Sequence, residues 1–193
     1  MKYTIDSNSV VVVAKSHNPT LISDDFLVKS GIIKDAEEIN KNNRIITPAM
    51  SNIQLLSGVN IQLDAERLVI VGQNNDEPFR IASSYCNTLT FIRASALGLN
   101  FDLTIDQYDV QKWFNKFNFR DIKADQVRLV KRFDRKKCII TITKITDASC
   151  KAQFNFHYGY KELVTLDGLG VNFIEEGKKN RTEADSILKE VFI

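Results

Sequence analysis

Residues 52–64 read NIQLLSGVNIQLD. Ile53 and Leu55 alternate with Asn52 and Gln54. After Ser57-Gly58 the alternation resumes, with Val59, Ile61 and Leu63 set against Asn60 and Gln62. A period of two sends successive side chains to opposite faces of a strand, so this stretch predicts two strands with one face on a core and one face wet. Ser57-Gly58 supplies the turn between them. Asp64-Ala65 supplies the next, and residues 68–71 (LVIV) the following strand. The segment is an antiparallel meander.

The same grammar recurs on both sides. Upstream, Val10, Val11, Val12 and Val13 form a β-branched run expected of a strand covered on both faces. His17-Asn18-Pro19 turns the chain, and a second apolar segment carries Phe26, Leu27, Ile32 and Ile33. Residues 34–43 (KDAEEINKNN) are polar and read as a loop or short helix. Downstream, Ile81, Tyr85, Leu89 and Ile92 recur at helical spacing. A second helix is expected to start near Asp106 or Asp109, with Val110, Trp113, Phe114 and Phe117 as one aromatic stripe, either core or an interface patch. Strands return with Val127, Leu129 and Phe133 opposite Arg128, Val130 and Arg132, then 138–145. A further strand sets Ala152, Phe154, Phe156 and Tyr158 against Gln153, Asn155 and His157. Residues 166–177 read as a loop, and Thr182 with Asp185 as the capping pair of a last helix. Strand runs with helices set apart predict an α+β fold, a strongly twisted antiparallel sheet with about three helices packed on it. The reading is a single α+β domain over 1–193, or two sheet halves meeting near 103–125.

Composition narrows the function classes. The 193 residues carry 26 basic and 24 acidic side chains, so a polyanion partner would have to be met by a local patch rather than by overall charge. The N-terminus lacks a basic-then-apolar leader, and no apolar run approaches the ~20 residues that span a bilayer. The three cysteines, Cys86, Cys138 and Cys150, show no metal or redox spacing. Together these predict a cytoplasmic protein with reduced thiols and no membrane partner.

Chemistry-bearing motifs are sparse. His157 is the candidate functional histidine, and pairing it with His17 as a metal site has no supporting spacing, so no metal and no cofactor are expected. Gly168-Leu169-Gly170 lacks the third glycine of a dinucleotide fingerprint. The strongest local signal is Arg128, Lys131, Arg132, Arg135, Lys136 and Lys137, six cations in ten residues. On a hairpin they would suit a nucleic-acid backbone or another polyanion, or else form a solvated edge that discourages strand pairing.

Several short patterns also occur in order: Asn18-Pro19 with Phe26-Leu27 and Gly31-Ile32-Ile33; Thr47-Pro48 with Ser51, Ile53 and Leu55; Leu97-Gly98-Leu99-Asn100-Phe101; and Asn155-Phe156-His157. This order resembles a broad group of uncharacterised bacterial proteins with an early Asn-Pro strand, a central GxNF strand and a late NFH strand. Such proteins look like the SecB chaperone fold, a long antiparallel sheet backed by helices. The resemblance implies exposed apolar grooves and a multimer, and assigns no catalytic residue. The missing chemistry favours a non-enzymatic protein-interaction, chaperone-like or adaptor module of a bacterial cytoplasmic system, with a protein partner or self-association as a homodimer or larger. Trp113, Phe114 and Phe117 are its candidate interface. The alternatives are a nucleic-acid-associated protein using hairpin 128–137 and a small hydrolase using His157.

Overall fold

The computed structural model describes residues 2–73, 75–106 and 108–192. Nine antiparallel strands form one sheet, and four α-helices accompany them among the described residues. The first half of the chain runs β1 (Lys2–Lys15), α1 (Asp24–Lys29), β2 (Ile39–Ile46), β3 (Met50–Leu55), β4 (Asn60–Asp64), β5 (Arg67–Gly72) and α2 (Glu77–Thr88). The second runs β6 (Arg93–Asp106), α3 (Val110–Asn115), β7 (Gln126–Arg132), β8 (Lys137–Lys144), β9 (Ser149–Thr165) and α4 (Phe173–Val191).

Both halves have one plan: a long strand, a short helix, a meander and a longer helix. In each, the last meander strand returns to pair with the opening strand, giving the sheet order β2-β3-β4-β5-β1-β6-β9-β8-β7. The plan restarts at Arg93, ahead of the 103–125 stretch. The halves join through β1 and β6, whose antiparallel register runs from Lys2↔Asp106 to Lys15↔Arg93. With strands about 4.8 Å apart, the sheet is roughly 40 Å wide.

One face carries the core. Val10, Val12, Leu68, Ile70, Leu97, Leu99, Phe101, Phe154 and Phe156 all point to it and are buried. Helices α2 and α4 lie on this face. Phe79 of α2 meets Phe101 with ring centres 6.0 Å apart, and Phe101 meets Phe156 edge-on at the same separation. The alternate side chains, among them Val11, Val13, Val69 and Asn100, form an opposite face that is half-buried or exposed. The valine run of β1 is therefore covered on one face rather than two. The β-branched residues of the open face shield one another across neighbouring strands.

Other expectations change for local reasons. Residues 24–29 form a helix beyond the three expected, with Ser23 capping the Phe26 N–H. In 34–43, a 3-10 turn at Ala36–Glu38 closed by an Asp35/Glu38 capping box leads straight into β2. Helix α4 begins nine residues before Thr182, capped by Asn172 on the Glu175 N–H; Thr182 lies mid-helix and bonds back to the Lys178 carbonyl.

Gly177 masked that helix in the sequence, and packing explains it. A Cβ there would stand 2.9 to 3.1 Å from three ring atoms of Phe79. Glycine costs a helix interior about 1 kcal/mol relative to alanine, and here it lets α4 close onto α2. Gly177→Ala regains that propensity but overpacks the contact, which typically costs about 1–3 kcal/mol. Chemical denaturation should show a net loss of about 1 kcal/mol. A more stable variant would mean that Phe79 yields freely.

Candidate binding surface

Alternation divides the basic hairpin between the two faces of the sheet. On β7, Val127, Leu129 and Lys131 point to the helix face, while Arg128, Val130 and Arg132 point to the open face. Lys131 reaches Glu190 of α4 at 2.7 Å. Lys136, just before β8, is turned inward with its side chain only 5% exposed. Its ammonium meets Glu183 at 2.7 Å, Glu176 at 3.3 Å and the Asn180 amide oxygen. It also lies 5.2 to 5.6 Å from the ring centres of Phe133, Phe156 and Tyr158, within cation–π range. The Tyr158 hydroxyl donates to Glu176 at 3.0 Å and accepts from the Asn180 amide at 3.0 Å. Burial, seconded by Glu176 and Glu183, raises that phenol's pKa and keeps it protonated.

Two of the six hairpin cations are therefore committed to α4. Lys136 in particular is a buried tie, not a polyanion contact. Arg128, Arg132, Arg135 and Lys137 have no carboxylate within ion-pair distance among the described residues. Asn180, which opens a formal glycosylation sequon, is fully buried in the Lys136 cluster.

The backbone of β7 is equally informative. The Phe133 N–H bonds to the Lys136 carbonyl, and the Lys144 N–H to the Asp125 carbonyl. The regular register from Gln126↔Thr143 to Arg132↔Lys137 continues that phase. Odd-numbered residues of β7 thus turn their backbone groups to β8, and Arg128, Val130 and Arg132 turn theirs outward. The strand is the sheet's edge, without bulge or proline, and Val130 is 52% exposed. The other edge, β2, is blunted. Its register with β3 breaks between Ile39 and Arg44, and the Asn40 side chain bonds the Asn42 N–H.

An apolar tip leads into the open edge. Phe119 and Ile122 exchange backbone hydrogen bonds of 3.0 Å each way around a tight turn, with Arg120 in the left-handed region at φ 53°. The turn drives both side chains outward, at 65% and 70% exposure, and Arg120 lies over the Phe119 ring.

The remaining candidates separate. Trp113 and Phe114 are buried, so they belong to the core and not to an interface: Trp113 stacks on Phe192 and donates its indole N–H to the Val191 carbonyl. Phe117 is the exposed end of that stripe. His157 stands on the open face between Gly98 and Lys137, with no hydrogen-bond partner among the described residues. Cys138 and Cys150 are buried beneath the sheet's core face, and burial pushes their thiols up to about 12 and about 11. No thiolate or carboxylate is set against the imidazole. No group of three or more potential metal ligands occurs among the described residues, and no helix there is long and apolar enough to cross a membrane. The sequence signal for the edge was present in Val130 and the Phe119–Ile122 turn, but neither carries a motif. No protein-family model matches the chain, and no curated protein matches it.

Lys136→Met leaves Glu176 and Glu183 facing each other without their cation. Breaking a buried pair in this way costs about 3 kcal/mol or more, discounted here because both carboxylates are partly wet; a denaturant midpoint equal to wild type would contradict the tie. Burial lowers the pKa of His17, whose Nδ1 lies 2.9 Å from the Tyr85 hydroxyl; burial and then Lys137 lower that of His157. The unfolded chain, at the ordinary value of 6.5, takes up protons first as pH falls. Their contribution is present above that value and is lost as pH drops toward the depressed folded values. Urea titrations should show stability falling below about pH 6.5, with a shallower slope for His17→Gln combined with His157→Gln.

Proposed function

We propose that this chain is a non-enzymatic protein-binding module that accepts an extended, acidic polypeptide segment along β7. The observation that carries this reading is the outward-facing backbone of Arg128, Val130 and Arg132 on a regular, uncovered edge. An extended segment added there would complete the ladder with main-chain hydrogen bonds, and side-chain pockets would supply selectivity. Arg128 and Arg132 flank the site with cations that no resident carboxylate neutralises, which favours acidic side chains in the guest. Phe119 and Ile122 offer it an apolar anchor at one end.

Charge also favours a foreign strand over a second copy. Two β7 strands pairing antiparallel about Leu129, the register that uses their whole length, would gather four arginines on one face, each Arg128 diagonal to the other copy's Arg128 and Arg132. Like charges gathered across a strand pair with no carboxylate among them disfavour it. A chaperone-like or adaptor role in a bacterial cytoplasm, with a strongly twisted SecB-like sheet, is the wider setting we propose. A long antiparallel sheet backed by helices supports it.

The test is fluorescence anisotropy with a labelled peptide of alternating Glu and Val, against a Lys-Val control and generic duplex DNA. Wild type should bind the acidic peptide and not the control. Val130→Pro removes an outward N–H that β8 does not use, so it should keep its thermal stability and lose about tenfold in affinity. Arg128→Glu with Arg132→Glu should abolish binding. Failure of the acidic peptide to bind, or unchanged affinity in Val130→Pro, overturns the proposal. Tighter binding of DNA than of peptide would transfer the surface to the nucleic-acid reading.

A further inference from the structure

The two faces of the β7 edge differ. Arg128, Val130 and Arg132 send their side chains to the open face, while Leu129 and Lys131 send theirs to the helix face. A guest strand alternates in the same way, so its successive side chains meet the two sets in turn.

Every pairing within the sheet is antiparallel. An antiparallel guest exchanges both backbone hydrogen bonds of each outward residue with the one residue opposite, and such a ladder is slightly more stable per residue than a parallel one. Arg128, Val130 and Arg132 thus offer three closed pairs. Read from its N-terminus, this guest passes 132, 131, 130, 129 and 128.

Its first and fifth residues lie opposite Arg132 and Arg128, which have no carboxylate within ion-pair distance among the described residues. Acids belong in both places. The third lies opposite the exposed Val130. The fourth lies beside Leu129, which packs against the core on one flank and has no strand on the other. Apolar side chains belong in these two. The second lies beside Lys131, whose ammonium Glu190 already holds at 2.7 Å. That ion pair leaves the position no charge to answer, and a strand-favouring polar residue such as Thr fits it. The Phe119–Ile122 turn precedes Gln126, the end of β7 that the guest's C-terminus reaches. An apolar residue beyond the fifth position meets that tip; one ahead of the first does not.

We infer, resting on the edge reading above, that the partner segment runs antiparallel to β7 and reads acid, polar, apolar, apolar, acid, with an apolar anchor after it. Net charge does not distinguish this segment from its reverse. Reversal keeps both acids opposite the arginines, but it sets Thr beside Leu129, an apolar residue beside Lys131, and the anchor at the end that has no tip.

The experiment is fluorescence anisotropy of the full chain with three labelled peptides of one composition: Glu-Thr-Val-Leu-Glu-Gly-Phe, its reverse, and the form with Thr and Leu exchanged. The first should bind about fivefold tighter than either of the others, which is the scale of a good cross-strand contact. Leu129→Thr should abolish the difference between the first and the exchanged peptide, and Leu129→Val, which keeps an apolar side chain, should retain it. Failure of all three peptides to bind overturns the edge reading and this inference with it. Equal affinity for all three leaves the edge reading standing and overturns the pattern, while tighter binding of the reverse overturns the direction. A difference that survives Leu129→Thr overturns the contact with Leu129.

Discussion

The antiparallel pairing of β1 with β6 is the constraint on which the rest of this molecule depends. These strands open the two halves of the chain, and each must also pair on its other side with the last strand of its own meander. A slip of one residue at the junction would bring to the core face either Val11 and Val13 in place of Val10 and Val12, or Gly98 and Asn100 in place of Leu97 and Leu99. The register is protected by that difference in burial, and on the open face by the Asn100 amide donating to Ser9 at 3.0 Å. Because the joint sits mid-sheet, both long helices fall on one side, and α4 packs on α2 through Gly177 and Phe79. One core results, shared by two halves.

What could be read in the sequence is what alternation encodes directly. Ile53, Leu55, Ile61 and Leu63 are buried as their spacing demands, and so are Phe154 and Phe156. The antiparallel sheet followed from those residues. What could not be read depends on contacts distant along the chain. Helix α4 begins in a stretch that looks like a loop, because Gly177 answers to Phe79 and not to its own helix. Strand β2 hides in a polar run because it is a bulged edge and buries little. Trp113 could be core or interface until Phe192, 79 residues further on, closed over it.

The basic hairpin shows the same limit from the side of charge. Counting cations along the chain treats six neighbours as one patch. Alternation, however, sends Lys131 and Arg132 to opposite faces of one strand, and the inward turn of the tip buries Lys136. Its counter-charges, Glu176 and Glu183, lie some 40 residues away on a helix whose start the sequence did not disclose. A cation run predicts a polyanion surface only where its members share a face and lack partners. Four of the six retain that freedom: Arg128, Arg132 and Lys137 on the open face and Arg135 at the hairpin tip.

The contrast between the two sheet edges bears most directly on function. Nine strands in an open sheet leave two edges, and an unprotected edge is an aggregation hazard unless something blunts it. Here β2 is blunted by a bulge and by asparagines that bond locally. Strand β7 has neither device. Its only protection is charge, from the arginines at 128 and 132, and charge of one sign discriminates where a bulge would simply exclude. On the proposed reading it disfavours a second β7 and admits an acidic strand. A fold able to blunt one edge by distortion, yet guarding the other with arginines alone, has in β7 an edge that is conditionally open.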